Sequence, residues 1–385
     1  PVIFGSGKLF SFQKNVFKLQ FNFNYILHAS EAVDGQINIV NLRKDEMEVK
    51  FGTPTEESTK LAIDSLEAAT NALMKGDVDV LVTAPINKDE MIKHGFPYTG
   101  HTEYLEKKFA AKGLMFLVTE DLKVAVSTHH IPLAKVAQTI TKQRIIDQVK
   151  QMNNCLKLDF SIERPKIAVL GLNPHSGDGG TIGMEEKEII EPAIKELFDQ
   201  GFMVFGPYPA DSFFQPEKYK NFDGVLAMYH DQGLTPFKTI AYENGVNYTA
   251  GMPLIRTSPD HGTAYDIAGK GVADARSFEE AVFTAIKIFK NRVEKLKTGV
   301  EKGVTTLATV AALSGVLTSC NSPEVKASGD AVTAGFEYVH SNGSAEPTRY
   351  QYNVEIRKVG DKCIATLDGD WFDNHEFVGT TDEVF

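Results

Sequence analysis

Short apolar runs rich in Val and Ile alternate with longer stretches of helical spacing through residues 1–297. The clearest of these runs are Asp77–Ala84, Lys123–Thr128, Lys166–Leu172 and Gly224–Met228. Continuous apolar runs of this length are typical of strands buried on both faces, and such strands are usually parallel and joined by helices. The alternation therefore predicts an α/β fold with a mostly parallel sheet and flanking helices.

Three helical stretches between the strands are well marked. The first follows Thr53 and Pro54, which we interpret as a capping residue and a first-turn proline, and it ends at Gly76. The other two are amphipathic and cover Glu185–Gln200 and Phe278–Lys297. We therefore assign residues 1–297 to one α/β domain.

The charge and the cysteine content exclude some classes of function. Lys and Arg total 40 against 51 Asp and Glu, and a net charge of −11 argues against a broad basic surface for nucleic acid. Cys155, Cys320 and Cys363 are far apart and form no CxxC pair. We therefore expect neither a zinc–thiolate site nor a disulfide framework, and we expect a reducing compartment.

The chain changes character after residue 297. Residues 304–317 are apolar and mostly small, and they end just before Cys320. The run is shorter than a membrane span and resembles a lipoprotein signal that is acylated at Cys320, with a buried helix as the alternative. We predict a signal-like linker over 298–322 and a small β domain of unknown function over 323–385. The predicted antiparallel strands of this β domain include Arg349–Ile356 and Cys363–Leu367.

Three histidines follow three of the apolar runs at equivalent positions. They are His130, His175 and His230, and each begins or lies within a turn. Ligands collect beyond the carboxyl ends of parallel strands, so three imidazoles at that edge predict a site for one divalent cation with room for substrate. Imidazole suits zinc, cobalt, nickel or iron better than magnesium. The alternative is that each histidine only caps its own loop.

A second group of residues predicts an anion site. His101 and Thr102 open a predicted helix, where free backbone N–H groups can face a phosphate or carboxylate. Lys238, Asn247 and Arg256 follow the last predicted strand, and Arg is suited to bidentate phosphate contact. The alternative for Lys238 and Arg256 is a solvated surface charge.

The glycine-rich segment Ser176–Gly180 could let the backbone approach a dinucleotide, although such loops are often only turns. The sequence contains neither a strand–GxGxxG–helix fingerprint nor a Walker lysine motif. A standard Rossmann cofactor site is therefore not predicted, and the residues that bind the cofactor stay unassigned.

Seven motifs together resemble those of the 4-hydroxythreonine-4-phosphate dehydrogenase family, and they occur in the same order. The resemblance covers roughly residues 1–295. The motifs are VTAPINK (Val82–Lys88), GHTE (Gly100–Glu103), HIPL (His130–Leu133), GLNPHSGDGG (Gly171–Gly180), GPYPAD (Gly206–Asp211), AMYHDQG (Ala227–Gly233) and IRTSPDHGTA (Ile255–Ala264).

The resemblance implies an isocitrate-dehydrogenase-like fold and a homodimer with a shared active site. It implies NAD-dependent oxidation of 4-phosphooxy-L-threonine to 3-amino-2-oxopropyl phosphate, with release of CO2, in pyridoxal 5'-phosphate biosynthesis. It also implies a divalent metal, Zn, Co or Mg. We expect no nucleic-acid partner because of the net charge, and no membrane partner for residues 1–297. We expect the dehydrogenase part to be cytoplasmic, because NAD and phosphorylated intermediates are found there.

The family's functional residues can be carried over one by one. Lys238 would also act in proton transfer, and His230 would come from the partner subunit. The implied metal ligands are His130, His175 and His230. The implied substrate contacts are His101, Thr102, Lys238, Asn247 and Arg256.

The chain departs from the family pattern at its start. Family members have a further strand and a GDPAGIGPE-like turn before the segment that matches Pro1–Gly5, so we expect the first βα unit to be missing. Three alternative functions stay open. They are a sister dehydrogenase for a phosphorylated threonate-like acid, a lipoprotein or binding module in residues 320–385, and a remnant without turnover.

Overall fold

The structure is a computed structural model that describes residues 1–45, 47–242 and 244–301, together with the backbone of five strands between residues 324 and 380. The chain divides into two compact units. The first comprises Pro1–Lys108 and Lys112–Phe289, and the second comprises Phe109–Ala111 and Lys290–Phe385.

Strands and helices alternate through the first unit, as the sequence predicts. The strands are β1 (Val2–Gly5), β2 (Phe23–Ile26), β3 (Ile37–Asn41), β4 (Leu81–Val82), β5 (Leu114–Val118), β6 (Lys123–Thr128), β7 (Lys166–Leu170), β8 (Met203–Tyr208), β9 (Gly224–Tyr229), β10 (Val246–Ala250) and β11 (Arg256–Pro259). The helices are α1 (Gly7–Val16), α2 (Glu56–Lys75), α3 (Lys88–Lys93), α4 (His101–Phe109), α5 (Val136–Thr139), α6 (Lys142–Leu158), α7 (Glu191–Asp199), α8 (Ala210–Phe213), α9 (Pro216–Tyr219), α10 (His230–Ala241) and α11 (Arg276–Glu301).

The main sheet has eight strands in the order β4-β11-β10-β5-β6-β9-β7-β8. Strands β6, β9, β7 and β8 are parallel to one another, and β4 is parallel to β11, whereas β5 and β10 run antiparallel to the strands on both sides of them. A smaller parallel sheet has the order β1-β3-β2. The predicted α/β fold with a mostly parallel sheet and flanking helices is confirmed.

Both faces of the main sheet are covered by apolar side chains. Along β7, Ile167 and Val169 face the cluster that includes helix α6, whereas Ala168 and Leu170 face the cluster that includes α10. This alternation follows from the two-residue repeat of a strand. Because the faces are filled, polar side chains beyond the strand ends are left at the edge of the sheet.

The start of helix α2 differs from the prediction. The N-cap is Thr55, whose Oγ1 accepts from the Ser58 N–H at 3.1 Å while the Thr55 N–H donates to Ser58 Oγ at 3.0 Å. The predicted cap at Thr53 is therefore wrong, and Pro54 precedes the cap, because this reciprocal capping box satisfies the free N–H groups one turn later. The helix ends at the predicted Gly76, which adopts a left-handed conformation with φ 76°.

Three other elements have different bounds from those predicted. Strand β4 contains only Leu81–Val82 of the predicted run, because only these residues pair with β11. The predicted helix at 185–200 is a π-helical turn over Glu186–Ile190 followed by α7. Helix α11 begins before Phe278 and continues to Glu301, into the predicted linker.

The second unit contains an antiparallel sheet with its strands in chain order. The predicted strands lie within its third and fourth members, and Cys320 with the predicted signal-like run lies outside the described residues. No helix in the described parts of the chain is both long and apolar enough to cross a membrane. The strands are β12 (Glu324–Ser328), β13 (Ala331–His340), β14 (Thr348–Val359), β15 (Lys362–Gly369) and β16 (Phe372–Thr380).

Candidate active site

One face of the β10–β11 ladder is polar and carries part of the predicted anion site. Tyr248 lies opposite Thr257 and Asn247 lies opposite Ser258, so Thr249 and Arg256 lie on the same face as Asn247. The alternate residues of both strands, by contrast, belong to the buried core or its boundary. The pairing therefore brings Asn247 and Arg256 to one surface, as predicted.

Arg256 is a buried cation whose partners are all neutral. Its side chain is 4% exposed, Nε and Nη2 donate to Thr83 Oγ1 at 3.1 and 2.7 Å, and Nη1 donates to Thr249 Oγ1 at 3.2 Å. Nη2 also donates to His101 Nδ1 at 3.1 Å. Within the described residues no carboxylate pairs with the guanidinium, and one of its N–H groups is left over. Burial lowers the pKa of Arg256 to about 10.

His101 is held in a neutral form beside this guanidinium. Burial is the largest cause that lowers its pKa well below 6.5, and Arg256 and Lys88 add to the shift. Because a guanidinium can only donate, Nδ1 of His101 must be the acceptor, and Nε2 then carries the proton. His101 can therefore donate one hydrogen bond to an anion.

Thr102 lies close to the same group of side chains. A Cβ placed on Gly113 would lie 2.8 Å from Thr249 Cγ2 and 3.4 Å from Thr102 Cγ2, so both threonine side chains border the same small space. We call the group of neutral donors and one cation the anion pocket. Its residues are Thr83, His101, Thr102, Thr249 and Arg256.

Lys238 lies on helix α10 and is paired with an acid. Its Nζ is 3.1 Å from Asp260 Oδ1 and donates to the Asp260 carbonyl oxygen at 3.2 Å. Burial raises the pKa of Asp260, and the nearby Lys238 opposes that rise. Asn247 on β10 lies opposite Ser258, and Asp260, the partner of Lys238, directly follows β11. These two predicted substrate contacts therefore lie beside the end of β11 that is farther from Arg256.

Two of the three predicted metal ligands meet at the edge of the sheet. His130 follows β6 and His230 begins α10 directly after β9, and these strands are paired at Thr128 and Tyr229. The ring centroids of His130 and His230 are 6.2 Å apart. The pair forms within one chain, although the family resemblance assigned His230 to a partner subunit.

The two imidazoles have the chemistry that a metal ligand requires. Asp231 Oδ1 is 2.7 Å from His230 Nδ1, and a carboxylate at one ring nitrogen leaves the other nitrogen free to bind a cation. Burial, with Lys88 as the next cause, lowers the pKa of His130 to about 4, so this ring is neutral near pH 7. Neutral imidazoles fit a divalent transition metal.

His175 does not join this pair. It lies in a loop over Pro174–Gly180, where His175, Ser176 and Asp178 have φ values of 55°, 49° and 43°. We call this segment the left-handed loop. Within the described residues, no three His, Cys, Asp or Glu side chains are arranged to hold one metal ion. The structure therefore brings His130 and His230 together, and a metal site formed by these two residues with His175 stays a prediction.

A buried glutamate supports the left-handed loop. Glu186 is 1% exposed, and its Oε1 accepts from the backbone N–H groups of Leu172 and Asn173 at 2.8 and 2.7 Å. Its Oε2 accepts from Asn173 Nδ2 at 2.9 Å, and a Cβ on Gly177 would lie only 2.6 Å from it. A side chain at Gly177 would therefore collide with the carboxylate that holds the loop.

Sequence reasoning missed several residues of this site. Thr83 and Thr249 contact Arg256, and His129 lies 5.1 Å from His130 between ring centroids. Nδ1 of His129 is buried without a hydrogen-bond partner in the part of the chain that the structure describes. Thr83 lies within the VTAPINK motif, whereas Thr249 and His129 had only their positions near the selected residues Asn247 and His130 as a signal.

The chain matches one family model and several relatives named 4-hydroxythreonine-4-phosphate dehydrogenase. The model of the family described as "Pyridoxal phosphate biosynthetic protein PdxA" matches residues 1–285. A 4-hydroxythreonine-4-phosphate dehydrogenase from Bacteroides thetaiotaomicron is 50% identical over 294 residues, which cover 76% of this chain and 81% of the relative. A second 4-hydroxythreonine-4-phosphate dehydrogenase, from a Sulfurihydrogenibium species, is 44% identical over 292 residues. These residues cover 76% of this chain and 89% of the relative.

The fold is also similar to that of solved structures. The crystal structure of 4-hydroxythreonine-4-phosphate dehydrogenase from Klebsiella pneumoniae is 34% identical, covers 75% of this chain and 90% of its own, and gives a TM-score of 0.67. These similarities confirm the resemblance indicated by the motifs. The chain therefore belongs to the PdxA family of pyridoxal phosphate biosynthetic proteins.

Proposed function

We propose that this protein is an NAD-dependent, metal-requiring dehydrogenase that oxidises and decarboxylates 4-phosphooxy-L-threonine. The products are 3-amino-2-oxopropyl phosphate and CO2, in pyridoxal 5'-phosphate biosynthesis. The name shared by the relatives supports dehydrogenase chemistry on this substrate. The observation that carries the proposal for this chain is the buried Arg256, whose recorded partners are all neutral.

The anion pocket binds the substrate phosphate in this proposal. A buried cation without a counter-charge is costly unless an anion joins it, and charge-assisted hydrogen bonds to phosphate are strong. Arg256 offers its remaining N–H, His101 offers Nε2–H, and Thr102 offers a hydroxyl at the start of helix α4. The phosphate anchors the substrate so that its hydroxyl carbon reaches the histidine pair.

His130 and His230 would hold the divalent cation, with His175 as the third ligand, supplied by the same chain or by a second copy in a homodimer. When bound, the cation supplies Lewis acidity at the substrate hydroxyl and NAD accepts the hydride. The residues of the chain orient the substrate between the anion pocket and the histidine pair.

Lys238 is the proposed proton-transfer residue. The oxidation releases one proton from the substrate hydroxyl, and loss of CO2 leaves a carbon that takes up one proton, so a single group can serve both steps. Asp260 Oδ1 lies 3.1 Å from the Lys238 Nζ and fixes its position. The proton then replaces the departing carboxyl group at that carbon.

Turnover of two substrates by the full chain tests this proposal. NADH formation would be measured with 4-phosphooxy-L-threonine and with a 4-phosphorylated threonate. We expect faster turnover of the amino acid. Equal or faster turnover of the threonate would favour the sister activity, and no NADH from either would contradict the proposal.

Lys238→Met tests the proton-transfer role. We expect a fall in kcat of about 100-fold or more with metal content unchanged. Lys220→Met is the matched control, because Lys220 has a similar exposure and pairs with Asp121 at 3.5 Å away from these residues. Wild-type turnover by Lys238→Met would rule the role out.

A further inference from the structure

We infer that Lys88 is a further substrate-binding residue, which supplies the second positive charge that the phosphate group requires. The inference rests on the proposed function, because it assumes that the anion pocket receives a phosphate. It adds a residue that neither the family resemblance nor the motif analysis selected, although Lys88 ends the VTAPINK motif.

The position of Lys88 carries the inference. Lys88 begins helix α3 just beyond the carboxyl end of β4, and its side chain reaches across Gly100. A Cβ placed on Gly100 would lie 3.4 Å from Lys88 Cε and 3.9 Å from Nζ. Since the next residue is His101, this contact brings the ammonium group to the rim of the anion pocket.

Two elements of the sheet bring Lys88 and Arg256 to the same region. Strand β4 pairs with β11 so that Leu81 lies opposite Arg256, and the Arg256 guanidinium then contacts Thr83 just after β4. The chain continues from Thr83 to Lys88 within one short loop. Lys88 also lies close enough to act electrostatically on both His101 and His130, which belong to the two parts of the site.

The charge of a phosphate group requires more than one cation here. A phosphate monoester carries roughly −1.5 to −2 charges at pH 7. His101 is neutral and Lys238 is paired with Asp260, so Arg256 alone provides one positive charge in the pocket. Lys88 has no hydrogen bond or ion pair with any residue that the structure describes, and its ammonium is therefore available.

Lys93, on the same helix as Lys88, is an example of a surface lysine that pairs with an acid. Lys93 ends the same helix and is 2.8 Å from Glu90 Oε1, one turn back along the helix. No corresponding acid pairs with Lys88 among the described residues, although Asp89 and Glu90 follow it directly. Lys93 is therefore a matched control for a change of charge on helix α3.

Calorimetric titration of the full chain with inorganic phosphate tests the inference. Lys88→Met should weaken phosphate binding by about 10- to 100-fold, the loss expected for one charge-assisted hydrogen bond, and should raise the KM for the substrate similarly. Lys88→Arg should keep binding within a few-fold of wild type, and Lys93→Met should leave it unchanged. The melting temperature of each variant checks that it is folded, and Lys88→Gln replaces Lys88→Met if the latter does not fold.

Arg256→Met separates the two possible failures. If Arg256→Met loses phosphate binding while Lys88→Met and Lys88→Gln bind like wild type, the role of Lys88 is overturned and the pocket stands. If Arg256→Met also binds phosphate like wild type, the pocket itself fails and the proposed function loses its main support. Loss of binding in Lys93→Met equal to that in Lys88→Met would also overturn the inference, because it would indicate a general charge effect.

Discussion

The anion pocket and the histidine pair lie on the same sheet, but a single chain completes them to different degrees. In the pocket, Arg256 is buried and fixed by hydrogen bonds to side chains from three other segments. At the histidine pair, two imidazoles meet and His175 lies apart in the left-handed loop. The side chains of the anion pocket are thus held in place within one chain, whereas the proposed metal site needs a further ligand.

The difference has a physical origin. The strand register fixes the positions of the anion-pocket residues on β10 and β11, because paired residues of the two strands lie opposite each other. His130 and His175 lie in the turns that follow their strands, and both have positive φ values, whereas His230 begins helix α10. Non-glycine residues in this region cost about 1–2 kcal/mol each, so their neighbours must hold them in place.

Arg256→Met should produce the largest effect, because it removes the cation of the anion pocket. We expect kcat/KM to fall by about 100-fold or more, because a buried charged donor to the phosphate is lost. The melting temperature should stay the same or rise, because a buried cation without a counter-charge is costly to the free protein.

Steady-state kinetics and thermal unfolding measure the two effects of Arg256→Met together. Arg164→Met, at an exposed position, is the control and should change neither quantity. A large fall in melting temperature would indicate that Arg256 mainly supports the fold, and this would remove the contrast between the two parts of the site.

Glu186→Gln should have an intermediate effect and tests the histidine side. The charged carboxylate that accepts two backbone N–H groups is replaced by an amide, so we expect a loss of about 1–3 kcal/mol in the free energy of unfolding. Denaturant unfolding measures the loss. Glu188→Gln is the control, since Glu188 is exposed on the same π-helical turn. Equal stability of the two variants would mean that Glu186 does not hold the left-handed loop.

The smallest expected effect is on the pH dependence of stability, and it tests whether His101 in the anion pocket is neutral. Burial holds the pKa of His101 well below 6.5, so below that pH the unfolded chain takes up a proton that the folded chain does not. Stability should therefore fall as the pH decreases from 6.5, by at most about 1.4 kcal/mol per pH unit. His101→Asn keeps an acceptor for Arg256 and removes this titration. Its melting temperature should fall less steeply with acid, and equal slopes would contradict a neutral His101.

Much of the fold was predictable because the signals are local. The run Lys123–Thr128 matches β6 residue for residue, and Gly76 ends helix α2 as predicted, because an apolar run and a terminal glycine each act within a few residues. Strand β4 was predicted too long because pairing with β11 defines its bounds, and pairing is a tertiary property.

The site was predictable in part for the same reason. The motifs selected Arg256, His101 and the three histidines, but they contained no signal for a contact such as that between Arg256 and Thr83, which are 173 residues apart. Nor does the glycine-rich sequence around His175 indicate which φ values its non-glycine residues adopt. Long-range register and turn conformation arise only in the folded chain.

Cobalt binding by the full chain tests most directly whether distant imidazoles bind one divalent cation beside the anion pocket. Calorimetric titration would compare wild type with His230→Ala and with His28→Ala, which changes an exposed histidine of the same unit. We predict that wild type and His28→Ala bind cobalt equally and that His230→Ala binds it about 100-fold more weakly or not at all. Equal affinity in His230→Ala and His28→Ala would contradict it.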